Sequence, residues 1–184
     1  PLPQPTGGVI TPYQTAAIVG NHTFTGTVVG GFEGVNFVSA SGDTFTSTST
    51  TLWYMDNCYF AQSSSDNLFN FSGANSYLSF IDCSFGATNV MNTSTTNVTM
   101  KNCTFPQHGI CNISDGEIIC TNCYEIGELA CTGCDLHVFN CSFYEGIGTM
   151  QCISGTATGI IQNCVFLLCP VGIANTISAT VINC

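Results

Sequence analysis

Asn102-Cys103-Thr104-Phe105 is one copy of a unit that the chain uses seven times. Before it come Asn57-Cys58-Tyr59-Phe60 and Asp82-Cys83-Ser84-Phe85. After it come Asn122-Cys123-Tyr124-Glu125, Asn140-Cys141-Ser142-Phe143, Asn163-Cys164-Val165-Phe166 and Asn183-Cys184. The cysteines lie 25, 20, 20, 18, 23 and 20 residues apart, about 21 on average. A period near 20 with variable insertions marks a stacked solenoid, in which each coil buries its apolar side against its neighbours.

The residues around each copy give the kind of solenoid. Three positions before the cysteine stand Met55, Phe80, Met100, Cys120, Val138, Ile161 and Val181. Five before stand Trp53, Leu78, Val98, Ile118, Leu136, Gly159 and Ala179. Positions two apart share one face of a strand. At the Asn the inward set changes phase, so that the Cys and the Phe two residues later point inward as well. A strand-bend-strand corner does this, because Asn tolerates the left-handed bend and bonds to the Asn of the next coil. A third short strand follows around Cys111-Asn112-Ile113, Cys131, Cys152-Ile153 and Gly172-Ile173-Ala174. The expected fold is all-β: a single-stranded right-handed parallel β-helix (β-solenoid) of about seven or eight coils.

Residues 1–20 read as an extended arm or cap opening on Pro1-Leu2-Pro3-Gln4-Pro5, and 21–184 as the β-helix, with clear repeats from about residue 50. Thr44–Thr51, Gln62–Asn67 and Thr93–Thr99 read as polar loops. Glu125 breaks the Phe column and should turn outward or sit at a bulge.

Of the 184 residues one is basic, Lys101, against eleven acidic, for a net charge of −10. Phosphate neutralisation needs basic residues, so nucleic acid is excluded as a partner, and anionic lipid is disfavoured. Charged residues make up 7%, far below the roughly 25% of ordinary domains. Thirteen cysteines and abundant Asn-x-Ser/Thr point to an oxidising, extracellular setting. No basic leader precedes an apolar run, and no apolar stretch reaches membrane-spanning length.

The Asn-Cys-x-Phe coils over roughly 50–184 resemble the pectin-lyase-like superfamily and the repetitive β-helical surface adhesins, such as the chlamydial polymorphic outer-membrane proteins. The Gly-Gly-Ala-Ile motif of those adhesins is missing here. The resemblance implies the architecture. Lyases of that superfamily use a basic residue, often Arg, as proton abstractor, and this chain has no Arg. The Gly-His-Gly and basic triplet of polygalacturonases are also missing, so an enzyme is not expected.

The densest acidic group is Asp115, Glu117, Glu125, Glu128 and Asp135, read as a solvated face, with a weak calcium site as the alternative. Asp115 and Asp135, each twelve after a repeat cysteine, are placed to stack. Cys120–Cys123 and Cys131–Cys134 form two Cys-x-x-Cys pairs, closer together than zinc ribbons place theirs. Cys58, Cys83, Cys103, Cys123, Cys141, Cys164 and Cys184 are expected as a core ladder, with disulfides between different faces or loops. His22, His108 and His137 read as isolated. No cofactor-binding, metal-binding or catalytic set is expected.

Seven sequons occur, about twice the chance number. Asn102 and Asn140 fall on the ladder corner and are expected buried. Asn21, Asn70, Asn92, Asn97 and Asn112 are the glycan candidates, with Asn92 and Asn97, in a polar loop, the best of them. The reading is a secreted structural or adhesive glycoprotein of the cell surface, a candidate subunit of a head-to-tail fibre. A carbohydrate-binding or carbohydrate-active β-helix is the alternative. Self-association is expected through the apolar strand at Val181 and Cys184 and an arm carrying Pro1, Pro3 and Pro5.

Overall fold

The computed structural model describes residues 17–39, 41–105, 109–144, 151–174 and 176–184. They form a parallel β-solenoid of about 7 turns with a period near 22 residues and no helix. Each coil gives one strand to each of three faces. Face I carries β1 (Ala17–Val19), β4 (Asn36–Ser39), β7 (Tyr59–Gln62) and β10 (Ser84–Gly86). Isolated bridges through Thr104, Tyr124 and Ile126 lead on to β16 (Ser142–Tyr144) and β18 (Val165–Leu167). Face II carries β2 (His22–Phe24), β5 (Phe45–Ser47), β8 (Phe69–Phe71), β11 (Asn89–Ser94) and β13 (Ile110–Ser114). It continues with the first halves of β15 (Glu128–Phe139) and β17 (Gln151–Gln162), then β19 (Val171–Ile173). Face III carries β3 (Val28–Glu33), β6 (Thr51–Asp56), β9 (Ser76–Ile81), β12 (Thr96–Lys101) and β14 (Glu117–Thr121). The second halves of β15 and β17 and then β20 (Ser178–Ile182) complete it.

The two apolar columns read before each cysteine are register partners on face III. Trp53 faces Leu78, then Val98, Ile118, Leu136, Gly159 and Ala179, and Met55 faces Phe80, then Met100, Cys120, Val138, Ile161 and Val181. They fill the axis with face I's stacked rings, Phe37–Phe60 at 5.0 Å, Phe60–Phe85 at 5.4 Å and Phe85–Phe105 at 5.0 Å. Glu125, exposed at φ 61°, is a bulge residue. It lets the buried Ile126 take the place of the missing Phe beside Phe143.

Thr44–Thr51 and Thr93–Thr99 are strands and corners rather than loops. Thr44, Ser47, Thr51, Thr93 and Thr96 are buried. Hydroxyls at these corners fold back on the local chain, as Thr51 Oγ1 does on Ser47 Oγ (3.0 Å) and Thr96 Oγ1 on the Ser94 carbonyl (3.0 Å). The third strand keeps no fixed distance from the repeat cysteine, so Cys111 and Cys131, each eight after theirs, align by count but are not partners. Cys111 pairs with Leu129, and Cys131 with Ile113, because the 18-residue coil loses its two residues before face II. Asp115 likewise sits at the corner between faces II and III at φ 54°, and Asp135 stacks on Glu117 instead. Of the arm expected over 1–20, residues 1–16 lie outside the described residues, and Ala17–Val19 already pair with β4.

Candidate functional site

The corner between faces III and I repeats most regularly. Asn57, Asp82, Asn102, Asn122, Asn140, Asn163 and Asn183 occupy it at φ 49–55°. A carboxamide can bond locally at this left-handed bend, where a β-branched side chain is strained. Their side chains form a one-way chain of hydrogen bonds. Asn102 Nδ2 donates to Asp82 Oδ1 (2.9 Å), Asn122 to Asn102 (3.3 Å), Asn140 to Asn122 (3.3 Å), Asn163 to Asn140 (3.1 Å) and Asn183 to Asn163 (3.3 Å).

Behind each Asn stands the cysteine. Cys58, Cys83, Cys103, Cys123, Cys141 and Cys164 are buried and Cys184, on the last rung, is exposed. Each thiol donates to the carbonyl two residues before it, at 3.2–3.6 Å. This gives a physical reason for Cys here: a small hydrophobe whose S–H satisfies a carbonyl at the bend. Burial pushes the thiols of Cys111 and Cys120 well above their ordinary range, against nucleophilic use. Cys152 and Cys169 form a disulfide between face II and the segment after β18, Cα–Cα 6.3 Å. Among the described residues no cluster of His, Cys, Asp or Glu is arranged to hold a metal ion.

Asn102 and Asn140 are exposed, not buried, but their amide nitrogens are spent in the ladder. Asn21 Nδ2 donates to the Ser41 carbonyl (2.8 Å) and Asn70 Nδ2 to Asp43 (2.6 Å). Asn97 is exposed on face III, its carbonyl accepting the Glu117 N–H (2.9 Å). Asn92 and Asn112 stand exposed on face II and are direct register partners, with Asn70 on the rung before Asn92. Asn92 and Asn112 each lie nine after their repeat cysteine in coils of equal length, so spacing aligns them, while Asn70, twelve after Cys58 in the 25-residue coil, is the one that spacing hides.

Face III groups chemistry that separate positions concealed. His137 Nε2 lies 3.4 Å from Asp135 Oδ2 and 4.0 Å from Glu117 Oε1, so His137 is not isolated. His108 lies outside the described residues. Further along the same face the Tyr54 and Tyr77 rings are 5.9 Å apart. The assembly residues Pro1, Pro3 and Pro5 also lie outside the described residues. Val181 is 48% exposed on β20.

Fold and corner together define an all-β, disulfide-containing parallel β-solenoid with an Asn–Cys ladder. The chain matches no described protein family, no curated protein and no solved structure.

Proposed function

We propose that the protein is a secreted structural or adhesive module, a stiff, charge-poor rod of the cell surface or extracellular matrix. The unbroken Asn–Cys corner carries the reading, because it ties every coil from Asp82 to Asn183 to the next by side chains as well as backbone. The resemblance of the coils to β-helical surface adhesins, the low charge and the Cys152–Cys169 bond point the same way. Asn97 is the proposed N-glycan site, exposed and with no partner for its amide nitrogen among the described residues. Copies associate end to end. Val165, Leu167, Leu168, Val171, Val181 and Ile182 are exposed on the last described coil. Among the described residues β18, β19 and β20 each pair on one side only. Negative-stain imaging and sedimentation of the native protein, with peptide mapping of Asn97, test this. Rods that lengthen with concentration and a glycosylated Asn97 are expected. A monodisperse monomer with unmodified Asn97 overturns the reading.

A second reading is a carbohydrate-binding or carbohydrate-active β-helix, favoured by the Tyr54–Tyr77 pair and the His137–Asp135–Glu117 group on one face. Polysaccharide pull-down and hydrolysis assays decide it. Binding or cleavage lost in both Tyr54→Ala and His137→Ala supports this reading, and no binding or cleavage by the native protein ends it.

A further inference from the structure

Face II carries a second repeat, independent of the Asn–Cys corner. Thr23, Thr46, Asn70, Asn92, Asn112, Ala130 and Ser154 are successive register partners, all pointing outward. Two residues further along each strand stands a second hydroxyl. Ser94, Ser114, Thr132 and Thr156 are themselves register partners, and Thr25, Thr48 and Ser72 hold the same place in the earlier coils. Between the two ranks the side chain turns inward, as buried Ser47, Phe71, Thr93, Ile113 and Cys131 do. Four consecutive coils therefore present both ranks in register, and in the three coils before them the second hydroxyl follows the last residue of the strand.

Folding uses only part of this: the Thr23 and Thr46 hydroxyls bond each other (3.0 Å) and Thr156 Oγ1 accepts the Gly133 N–H (3.1 Å). Outward strand positions tolerate most substitutions, and Asn is a poor strand former. Face III, on the same solenoid, places Tyr54, Ile81, Lys101, Glu117, His137 and Phe139 at its outward positions. The restriction on face II holds through coils whose lengths run from 18 to 25 residues and whose cores differ. It calls for a partner that is itself periodic and uncharged. Neither rank contains an acidic residue, although the chain carries a net charge of −10. Two carboxylates accept bonds from the first rank, Asp43 from Asn70 Nδ2 (2.6 Å) and Glu128, at the outward position two before Ala130, from Ser154 Oγ (2.6 Å). The amides of Asn92 and Asn112 have no partner among the described residues.

The ranks repeat every ~4.8 Å along the axis and ~6.7 Å along the strand. Both distances match the oxygen repeats of a prism plane of hexagonal ice to within roughly a tenth. We infer that face II binds ice, its two ranks holding a layer of water in lattice positions. Hydroxyls and amides bond that water, while the Thr methyls and Ala130 order the molecules between them. A charge would instead turn water about itself. β-Branched Thr is stiff at χ1, and the filled core holds the ranks rigid, so little freedom is lost on adsorption. Many weak contacts on one rigid body then add. Gly155, between Ser154 and Thr156, takes φ 89°, and a Cβ there would collide with the Cys131 carbonyl of the neighbouring coil.

The test is partition of the full chain between slowly growing ice and liquid. The native protein is expected to be enriched in ice. Ser114→Tyr puts a ring above the middle rung and should lower the ratio about tenfold or more, with circular dichroism and Tm unchanged. Thr132→Lys, at the register partner of Ser114 on the same rank, should do the same and serves if Ser114→Tyr fails to fold. Ile119→Lys on face III should leave the ratio intact. Exclusion of the native protein from ice overturns the inference, even where it binds crystalline polysaccharide instead. So does full enrichment of a folded Ser114→Tyr or Thr132→Lys protein, or an N-glycan on Asn92 or Asn112.

Discussion

Phe105 is wholly buried, its ring 5.0 Å from that of Phe85. Phe105→Ala should cost about 3–5 kcal/mol, the range for a buried aromatic whose site cannot collapse. Denaturant titration checks it, and unchanged stability would mean the column is misplaced. Two carboxylates give opposite pH behaviour. Partial burial, then Asp82 and Glu33, raise the Asp56 carboxyl, against one bond from the Asn57 N–H. A raised folded value favours the protonated form, so its stabilisation is full at low pH and lost as pH rises through that value. Asp56→Asn should therefore raise Tm at neutral pH, and the gain should vanish in acid. Burial pushes Asp43 up too, but bonds from Asn70 and from the backbone and side chain of Asn67 outweigh it and hold the carboxyl low. Its stabilisation is present above the ordinary carboxylate range and lost as pH falls through the lowered value. Asp43→Asn should lower Tm at neutral pH and change little in strong acid.

At the scale of an element, the corner Asn does two jobs that substitution separates. Asn122→Gly loses the side-chain bonds to Asn102 and Asn140 but keeps the bend, whereas Asn122→Ala loses both. The alanine protein should be less stable than the glycine protein by about 1 kcal/mol, the cost of a left-handed Cβ. Removing the Cys152–Cys169 bond, which closes a short loop, should cost about 3 kcal/mol. The strands of face III were legible in the sequence because their inward residues keep fixed offsets from the repeat cysteine. Face II was only half legible. Its strands follow segments of variable length, so Cys111 aligned by count with Cys131 when Leu129 is its partner. Polar content also misled: Thr44, Ser47 and Thr51 read as loop residues and are buried, because a hydroxyl can bond its own corner. The His137–Asp135–Glu117 contact was not legible, since it depends on which coil lies over which.

For the whole molecule, contacts run only from coil to coil. Stability is then close to a sum of coil and interface terms, and opening proceeds most easily from a coil with one neighbour. Amides of β9, β12 and β14, bonded on both sides, should exchange with deuterium most slowly. Those of β20, held by β17 alone, should exchange among the fastest. This gradient gives the proposed end-to-end association a thermodynamic signature. A second copy laid on β20 would bond the free edge and cover Val181 and Ile182, both exposed in the single chain. Association opposes only the openings it covers, so protection should grow with protein concentration at β20 and stay flat at β9. Exchange measured over a wide range of concentration checks this. Protection at β20 that does not change, in a sample where β9 stays slow, would mean that copies do not meet at this edge.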